Sequence, residues 1–213
     1  MRRTEAEAQE TRKTIVEAAQ QVFFEHGVCR TSLEQIARAA GVTRGAVYWH
    51  FRNKTHLFEE IHREARTPME DVLERLLQDD AADAGPAKLE AFCVESLLQL
   101  HEDEKVRRLF TTILLKCEAT GEMQPLWDHL RRANEETVAR LEAIFARYRK
   151  EGSIPPDSEP RVLAQALHAY MTGLFIDYLR SPACFRMPED ASTLVRHFFA
   201  SISPAPARIG PGG

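Results

Sequence analysis

GVTRGAVYWHFRNK, Gly41 to Lys54, is the stretch on which the fold of this 213-residue chain turns. Its tyrosine, tryptophan and phenylalanine suit a packed core. Arg44, Arg52 and Lys54 require water or an anion, and Gly41 and Gly45 would weaken the interior of any helix. The mixture fits a segment packed on one side and turned toward negative charge on the other.

The flanks extend that reading. Thr31-Ser32-Leu33-Glu34 has the spacing of a capping box, with Thr31 and Glu34 satisfying each other's backbone donors. It predicts a short helix that turns Leu33, Ile36, Ala37 and Ala40 inward. Gly41 ends this helix and Thr43 caps the next, in which Val47, Tyr48 and Phe51 continue the buried stripe. Upstream, Ile15, Ala19, Val22, Phe23 and His26 share one helical face, with Gly27 as a left-handed stop behind them. Downstream, a helix opens near Asn53 or Lys54 and carries Leu57, Phe58 and Ile61.

Helix, glycine-containing turn, helix is the helix-turn-helix arrangement, whose second helix enters the major groove of DNA. Gly45 and Ala46 are small enough for the backbone to approach the groove. Thr43, Tyr48, His50 and Lys54 can each donate to a phosphate, and Arg44 can reach a phosphate or a guanine edge. Trp49 is left between core packing and DNA contact, because sequence does not orient its ring.

Helical periodicity continues to the end of the chain, with no sustained strand alternation. The turn-rich breaks DDAADAGPA (79–87) and EGSIPPDSEP (151–160) separate further amphipathic helices, including Val162 to Leu179 and Ala191 to Ile202. The expected fold is therefore all-α: an arm over residues 1–9, a three-helix DNA-binding domain over 10–66, a helical domain over 67–203, and a disordered tail, SPAPARIGPGG, with the tail boundary at 204–213. One local signal opposes a simple long helix between the domains. Pro68 cannot donate an amide and crowds the carbonyl of Glu64, while Thr67-Pro68-Met69-Glu70 reads as a fresh helix start. A kink or break between Glu64 and Pro68 is expected, either as a hinge between domains or as a bend without a signalling role.

TSLEQIARAAGVTRGAVYWHFRNKTHLF resembles the DNA-binding domain of the TetR family of regulators. The matching positions include Thr31, Ile36, Ala37, Gly41, Thr43, Gly45, Tyr48, His50, Phe51, Asn53 and Lys54. The resemblance implies that Thr31 touches phosphate, that Thr43 to His50 read the groove, and that Lys54 clamps the backbone. RRLFTTILLKCEATGEM, in the second part, resembles the AcrR-like branch, regulators of multidrug efflux pumps. This implies a homodimer on a palindromic double-stranded operator, released by a small hydrophobic or amphipathic effector such as an antibiotic, a dye or a plant phenolic.

Two helical faces of the second part suit those roles. Leu163, Leu167, Tyr170, Leu174 and Tyr178, with Leu194, Val195, Phe198 and Phe199 of the last helix, form a stripe suited to a four-helix dimer contact. Phe92, Ser96, Phe110, Leu114, Asn134, Thr137, His168, Met171, Thr172 and Phe175 supply the apolar wall and few polar groups of a small-molecule cavity. Ordinary core packing is the competing reading for each.

Composition narrows the classes. The chain carries −4 net charge, yet Lys and Arg outnumber Asp and Glu eleven to nine through residue 66 and are outnumbered seventeen to twenty-three beyond it. Such asymmetry suits two parts with different partners. The four cysteines, Cys29, Cys93, Cys117 and Cys184, have no metal or disulfide spacing. The HEDE run, His101 to Glu104, reads as a solvated helix end, because consecutive helical residues diverge. No paired acid and base stands at a catalytic spacing, no apolar run reaches the ~18 residues of a membrane span, and MRRTEAEAQETRK lacks a secretory signal. The expectation is a cytoplasmic, ligand-responsive repressor with no metal, cofactor or catalytic site. A DNA-binding dimer without a small ligand, governed by a protein partner or acting architecturally, is the alternative.

Overall fold

The computed structural model describes residues 5–78, 85–117 and 124–203, and among them every regular element is helical. In chain order these are α1 (Glu5–His26), α2 (Leu33–Ala39), α3 (Arg44–His50), α4 (Lys54–Gln78), α5 (Pro86–Glu102), α6 (Glu104–Leu115), α7 (Gln124–Lys150), α8 (Pro160–Arg180) and α9 (Ala191–Ser201), with a 3-10 turn at Pro182–Cys184. The expected tail at 204–213 lies outside the described residues, as do the first four residues of the arm and most of the 79–87 break.

The amino-terminal head folds around Ile15, Phe23, Ile36, Val47, Phe51, Leu57 and Phe58. Two glycines turn the chain as the sequence requires: Gly27 has φ +78° behind α1 and Gly41 has φ +65° behind α2. At Gly27 an added Cβ would also stand 3.4 Å from the carbonyl oxygen of Lys116, so the turn is pressed against the end of α6. Thr43 caps α3, its side chain accepting from the Ala46 amide at 3.2 Å.

The capping box of α2 sits one residue later than expected. Thr31 is only 3% exposed, and its hydroxyl donates back to the Gly27 carbonyl at 2.8 Å. Ser32 therefore takes the cap: its Oγ accepts from Gln35 N at 3.2 Å, while Gln35 Oε1 accepts from Ser32 N at 2.8 Å. One other expectation for the head also fails. Tyr48 is exposed rather than part of the buried stripe, since it stands at the edge of its helix's apolar face.

Electrostatic ties hold α1 to α4. The Arg12 guanidinium lies 2.6 Å from Glu60 Oε1 and stacks over Phe51 at 5.3 Å from the ring centroid. Leu126 and Leu130 of α7 complete the head's core, so the head is packed on the second unit and not merely tethered to it.

A second core gathers Leu73 and Leu76 from α4 with Leu89, Leu97, Ile144, Phe145, Tyr148, Leu167, Val195 and Phe199. Within it α8 lies along α7 and α9 along α5. The HEDE run is the joint between α5 and α6. Asp103 caps α6 through Lys105 N at 2.7 Å and Val106 N at 3.3 Å, and His101 Nδ1 is 2.8 Å from the Tyr178 hydroxyl.

Helix α4 crosses the expected boundary at 66/67 without interruption, contributing Leu57, Phe58 and Ile61 to one core and Leu73 and Leu76 to the other. The break expected between Glu64 and Pro68 does not form: Thr67 and Pro68 lie inside the helix. Pro68 is exposed, so water can take up the Glu64 carbonyl that the proline leaves without its donor. The apolar residues on either side, anchored in two cores, outweigh the local preference for a break. Restoring the amide with Pro68→Ala should therefore stabilise the fold by about 2 kcal/mol, net of the entropy that proline removes from the unfolded chain. Urea unfolding would measure it, and an unchanged midpoint would mean that the Glu64 carbonyl loses nothing to the proline.

Candidate DNA-reading face and buried cavity

Helix α3 buries Val47 and turns its other side outward. Thr43, Arg44, Gly45, Tyr48 and Trp49 are exposed, while Ala46 and His50 are half-buried. Among the described residues Trp49 is the most exposed large hydrophobic side chain at 72%, which orients it away from the core. Tyr48 is 47% exposed, and the Arg44 guanidinium lies over its ring at 5.3 Å with Nη2 3.4 Å from the hydroxyl. This stacking pre-orders a cation and a phenol on consecutive turns of one exposed face. Lys54 is half-buried, its Nζ donating to the Cys29 carbonyl at 2.6 Å. It thereby pins the α1–α2 turn to the start of α4, and its ammonium retains further donors. Thr31 stands behind this surface, held by Gly27.

The second feature is a partly open cavity of ≈ 180 Å³ walled by α4, α5, α6, α7 and α8. Every residue that the sequence reading assigned to a cavity wall lines it: Phe92 and Ser96 from α5, Phe110 and Leu114 from α6, Asn134 and Thr137 from α7, and His168, Met171, Thr172 and Phe175 from α8. Phe110 and Phe175 meet edge to face at 5.0 Å, forming an aromatic wall.

Sequence reasoning missed the contribution of α4: His62, Ala65, Arg66, Met69 and Leu73. The signal was present, since Phe58, His62, Ala65, Met69 and Leu73 recur at three- and four-residue steps. His62 is 7% exposed, stacks on Phe58 at 6.3 Å, and has Nδ1 3.0 Å from His129 Nε2 on α7. Burial first, then the neighbouring His129 and Arg66, push its pKa down to about 3. Arg66, with 13% of its side chain exposed, ties α4 to α7: Nη2 donates to Ala133 O at 3.0 Å and Thr137 Oγ1 at 3.3 Å, and lies 2.7 Å from Glu70. Burial also lowers the pKa of His168 and lifts the Cys93 thiol to about 12. That thiol is no nucleophile.

The cavity is joined to the head by three helices. Two are α4 and α7, each of which contributes to both the head's core and the cavity wall. The third is α6, whose neighbour Lys116 donates to the Phe24 carbonyl and whose Arg108 donates to Gln21 Oε1 at 2.7 Å, both on α1.

The stripe expected to join two copies is largely used within the chain. Leu167, Val195 and Phe199 are buried in the second core, and Tyr178 is buried against His101 and Phe185. Tyr170 donates to the Leu194 carbonyl at 2.7 Å and stacks on Phe198, and Leu163, Leu174, Leu194 and Phe198 are half-buried. A helix commits its largest apolar side chains to its own core first, and periodicity alone does not separate that core from a contact between copies. Among the residues that α8 leaves exposed, Val162, Ala166, Ala169 and Gly173 are spaced to fall on one face, and α9 leaves Arg196, His197 and Ala200 exposed.

Among the described residues, no group of three or more His, Cys, Asp or Glu could hold a metal ion, and no helix is long and apolar enough to cross a membrane.

Comparison with known proteins agrees with this division. Residues 15–61 match the bacterial regulatory proteins of the tetR family, and residues 87–203 match the carboxy-terminal region of MAATS-type transcriptional repressors. The HTH-type transcriptional regulator AcrR of Shigella flexneri is 34% identical over 196 residues, which span 91% of this chain and 90% of that protein. Among solved structures, NalD, the secondary repressor of the MexAB-OprM multidrug efflux pump in Pseudomonas aeruginosa, is 40% identical. It superposes with a TM-score of 0.83, covering 93% of this chain and 98% of its own. The complex of SmeT with triclosan is 30% identical, with a TM-score of 0.85 and coverage of 96% and 99%. SmeT is the repressor of the Stenotrophomonas maltophilia multidrug efflux pump SmeDEF.

Proposed function

The chain belongs to the TetR family of bacterial regulatory proteins, and from that premise we propose that it is a ligand-responsive repressor of a multidrug efflux operon. It is a regulator and not an enzyme. Two copies hold their α3 helices about 34–36 Å apart, one turn of DNA, on a palindromic operator. A small apolar effector entering the cavity binds best when the heads are mis-spaced, and the dimer lets go. A tenfold loss of operator affinity requires only about 1.4 kcal/mol of coupling between the sites.

One observation carries the reading: α4 lines the cavity with His62 and Arg66 while its first turns build the core of the head. A ligand that shifts these side chains acts on a rigid element shared with the DNA-reading unit. The apolar wall suits a small apolar effector. The outward face of α8 and α9 is the proposed contact between the two copies.

Fluorescence anisotropy with the promoter DNA beside this gene tests the reading. Operator affinity should fall when a compound raises the melting temperature, because a ligand that binds only the folded state stabilises it. A compound that raises melting temperature without releasing DNA would leave the cavity uncoupled from the head.

The same assay tests the reading face. Arg44→Ala should lower affinity and, for a phosphate contact, flatten the slope of log K against log salt by about one unit per subunit. If Arg44 reads a guanine, sequence preference relaxes at one operator position instead. Tyr48→Phe should weaken binding without changing the melting temperature. Lys54→Ala should weaken binding and also lower the melting temperature, since losing its bond to the Cys29 carbonyl costs about 1 kcal/mol of stability. Unchanged affinity in all three variants would remove α3 from the interface.

A further inference from the structure

Resting on the ligand-responsive reading above, we propose that the cavity selects one-ring aromatic compounds with an anionic or strongly accepting end, phenols and arenecarboxylates, and rejects hydrophobic cations. Arg66 is the specificity-determining residue. The wall's charge inventory leads to this class. Of the described side chains lining the cavity, Arg66 is the single permanent charge, and no described aspartate or glutamate lines it. A ligand cation would be buried beside a guanidinium with no carboxylate to receive it, which low-dielectric surroundings penalise heavily. The two wall imidazoles do not alter this balance, because burial favours their neutral forms.

The donors are in place for an acceptor. Among the described residues, every contact of Arg66 is made through Nη2, to Ala133, Thr137, Glu70 and Glu136. The Nε and Nη1 hydrogens are left for a ligand oxygen, and a guanidinium fork matches a carboxylate in two-point geometry. Ser96 gives its own proton to the Phe92 carbonyl at 2.8 Å, so its oxygen can accept from a phenol. Glu70 need not be stranded when a ligand draws Arg66 inward, since Arg140 Nη1 lies 3.7 Å from the same carboxylate oxygen. Size sets the ring count. An apolar cavity of about 150 Å³ accommodates benzene, and this one measures ≈ 180 Å³ with the Phe110–Phe175 pair as its wall. Drawing Arg66 toward a ligand also loosens its bonds to Ala133 and Thr137, which join α4 to α7, and so links recognition to release.

Salicylate, benzyl alcohol and benzyltrimethylammonium, each with one ring, separate the classes on the intact protein by thermal shift and operator anisotropy. Salicylate should raise the melting temperature and release DNA at a concentration at least about tenfold below that needed for benzyltrimethylammonium. Arg66→Met should bring salicylate to the level of benzyl alcohol. Should Arg66→Met fail to fold, Asn134→Asp serves: residue 134 is exposed, shares the cavity wall, and the change is nearly isosteric. The added carboxylate should weaken salicylate severalfold and leave benzyl alcohol unchanged. Equal or tighter binding of the cation overturns the charge selection while the ligand-responsive reading stands. Release by a multi-ring dye with no response to any one-ring probe overturns the size assignment. No response to any compound of either kind, in melting or in DNA binding, overturns the ligand-responsive reading itself.

Discussion

Gly173→Glu is expected to turn the protein into a folded monomer whose operator affinity is lower by about 10²- to 10⁴-fold, the range that linking two binding modules typically supplies. Gly173 lies on the outer face of α8 with Val162, Ala166 and Ala169. Small residues on one face let two helices approach closely, and a buried carboxylate without a partner would prevent that approach. The variant cannot fail for internal reasons. A Cβ built at Gly173 meets nothing within 4 Å, and exchanging glycine for glutamate within a helix favours the helix. Sedimentation should therefore show a monomer with an intact helical spectrum, and anisotropy should show that each head alone holds its half-site weakly. An undisturbed dimer would move the contact off α8. The half-buried Leu194 and Phe198 give a weaker test, because Phe198 also stacks on Tyr170 within the chain, so charging it would confuse assembly with folding.

That contrast shows where sequence was legible and where it was not. The head followed directly, because Gly27, Gly41 and the Thr43 cap are local signals that do not depend on distant packing. Thr31 and Ser32 are adjacent and chemically alike as caps. Only the return of the Thr31 hydroxyl to Gly27 decides between them, and nothing in the spacing announces that bond. The cavity wall was readable because its residues are the inward stripes of amphipathic helices. Which inward residues border empty space rather than other atoms is a property of the assembled bundle. For the same reason Leu167 and Val195 were placed in an intermolecular contact: periodicity shows that a face is buried and not against which partner. At Pro68 a local rule was overridden by anchoring on both sides, the usual outcome when tertiary packing opposes a modest local preference. His62 and Arg66 escaped notice because polar residues on an apolar stripe look like errors in the pattern. They are the groups that tie α4 to α7 at the cavity wall.

His62 also makes stability depend on acid in a way that can be isolated. Its folded pKa of about 3 lies far below the ordinary 6.5, chiefly because burial disfavours the imidazolium, with His129 and Arg66 adding like-charge repulsion. The folded chain thus keeps the ring neutral where the unfolded chain protonates it. The contribution to stability is whole above about pH 6.5 and is lost as pH falls toward about 3, since protons then favour the unfolded state. The full loss is on the order of 3–5 kcal/mol, and about 2–3 kcal/mol is gone by pH 4.5. Burial depresses His129 in the same sense, and Glu60 adds a loss of its own below the carboxylate range, because Arg12 and Arg63 overcome the effect of its burial and hold its pKa down. Total acid sensitivity therefore does not identify His62, but the difference from His62→Leu does. That variant keeps an apolar side chain against Phe58 and removes the titration. Its urea-unfolding free energy should fall by about 2–3 kcal/mol less than that of the native protein between pH 7.5 and 4.5. Equal falls would mean that the ring is free to charge within the fold.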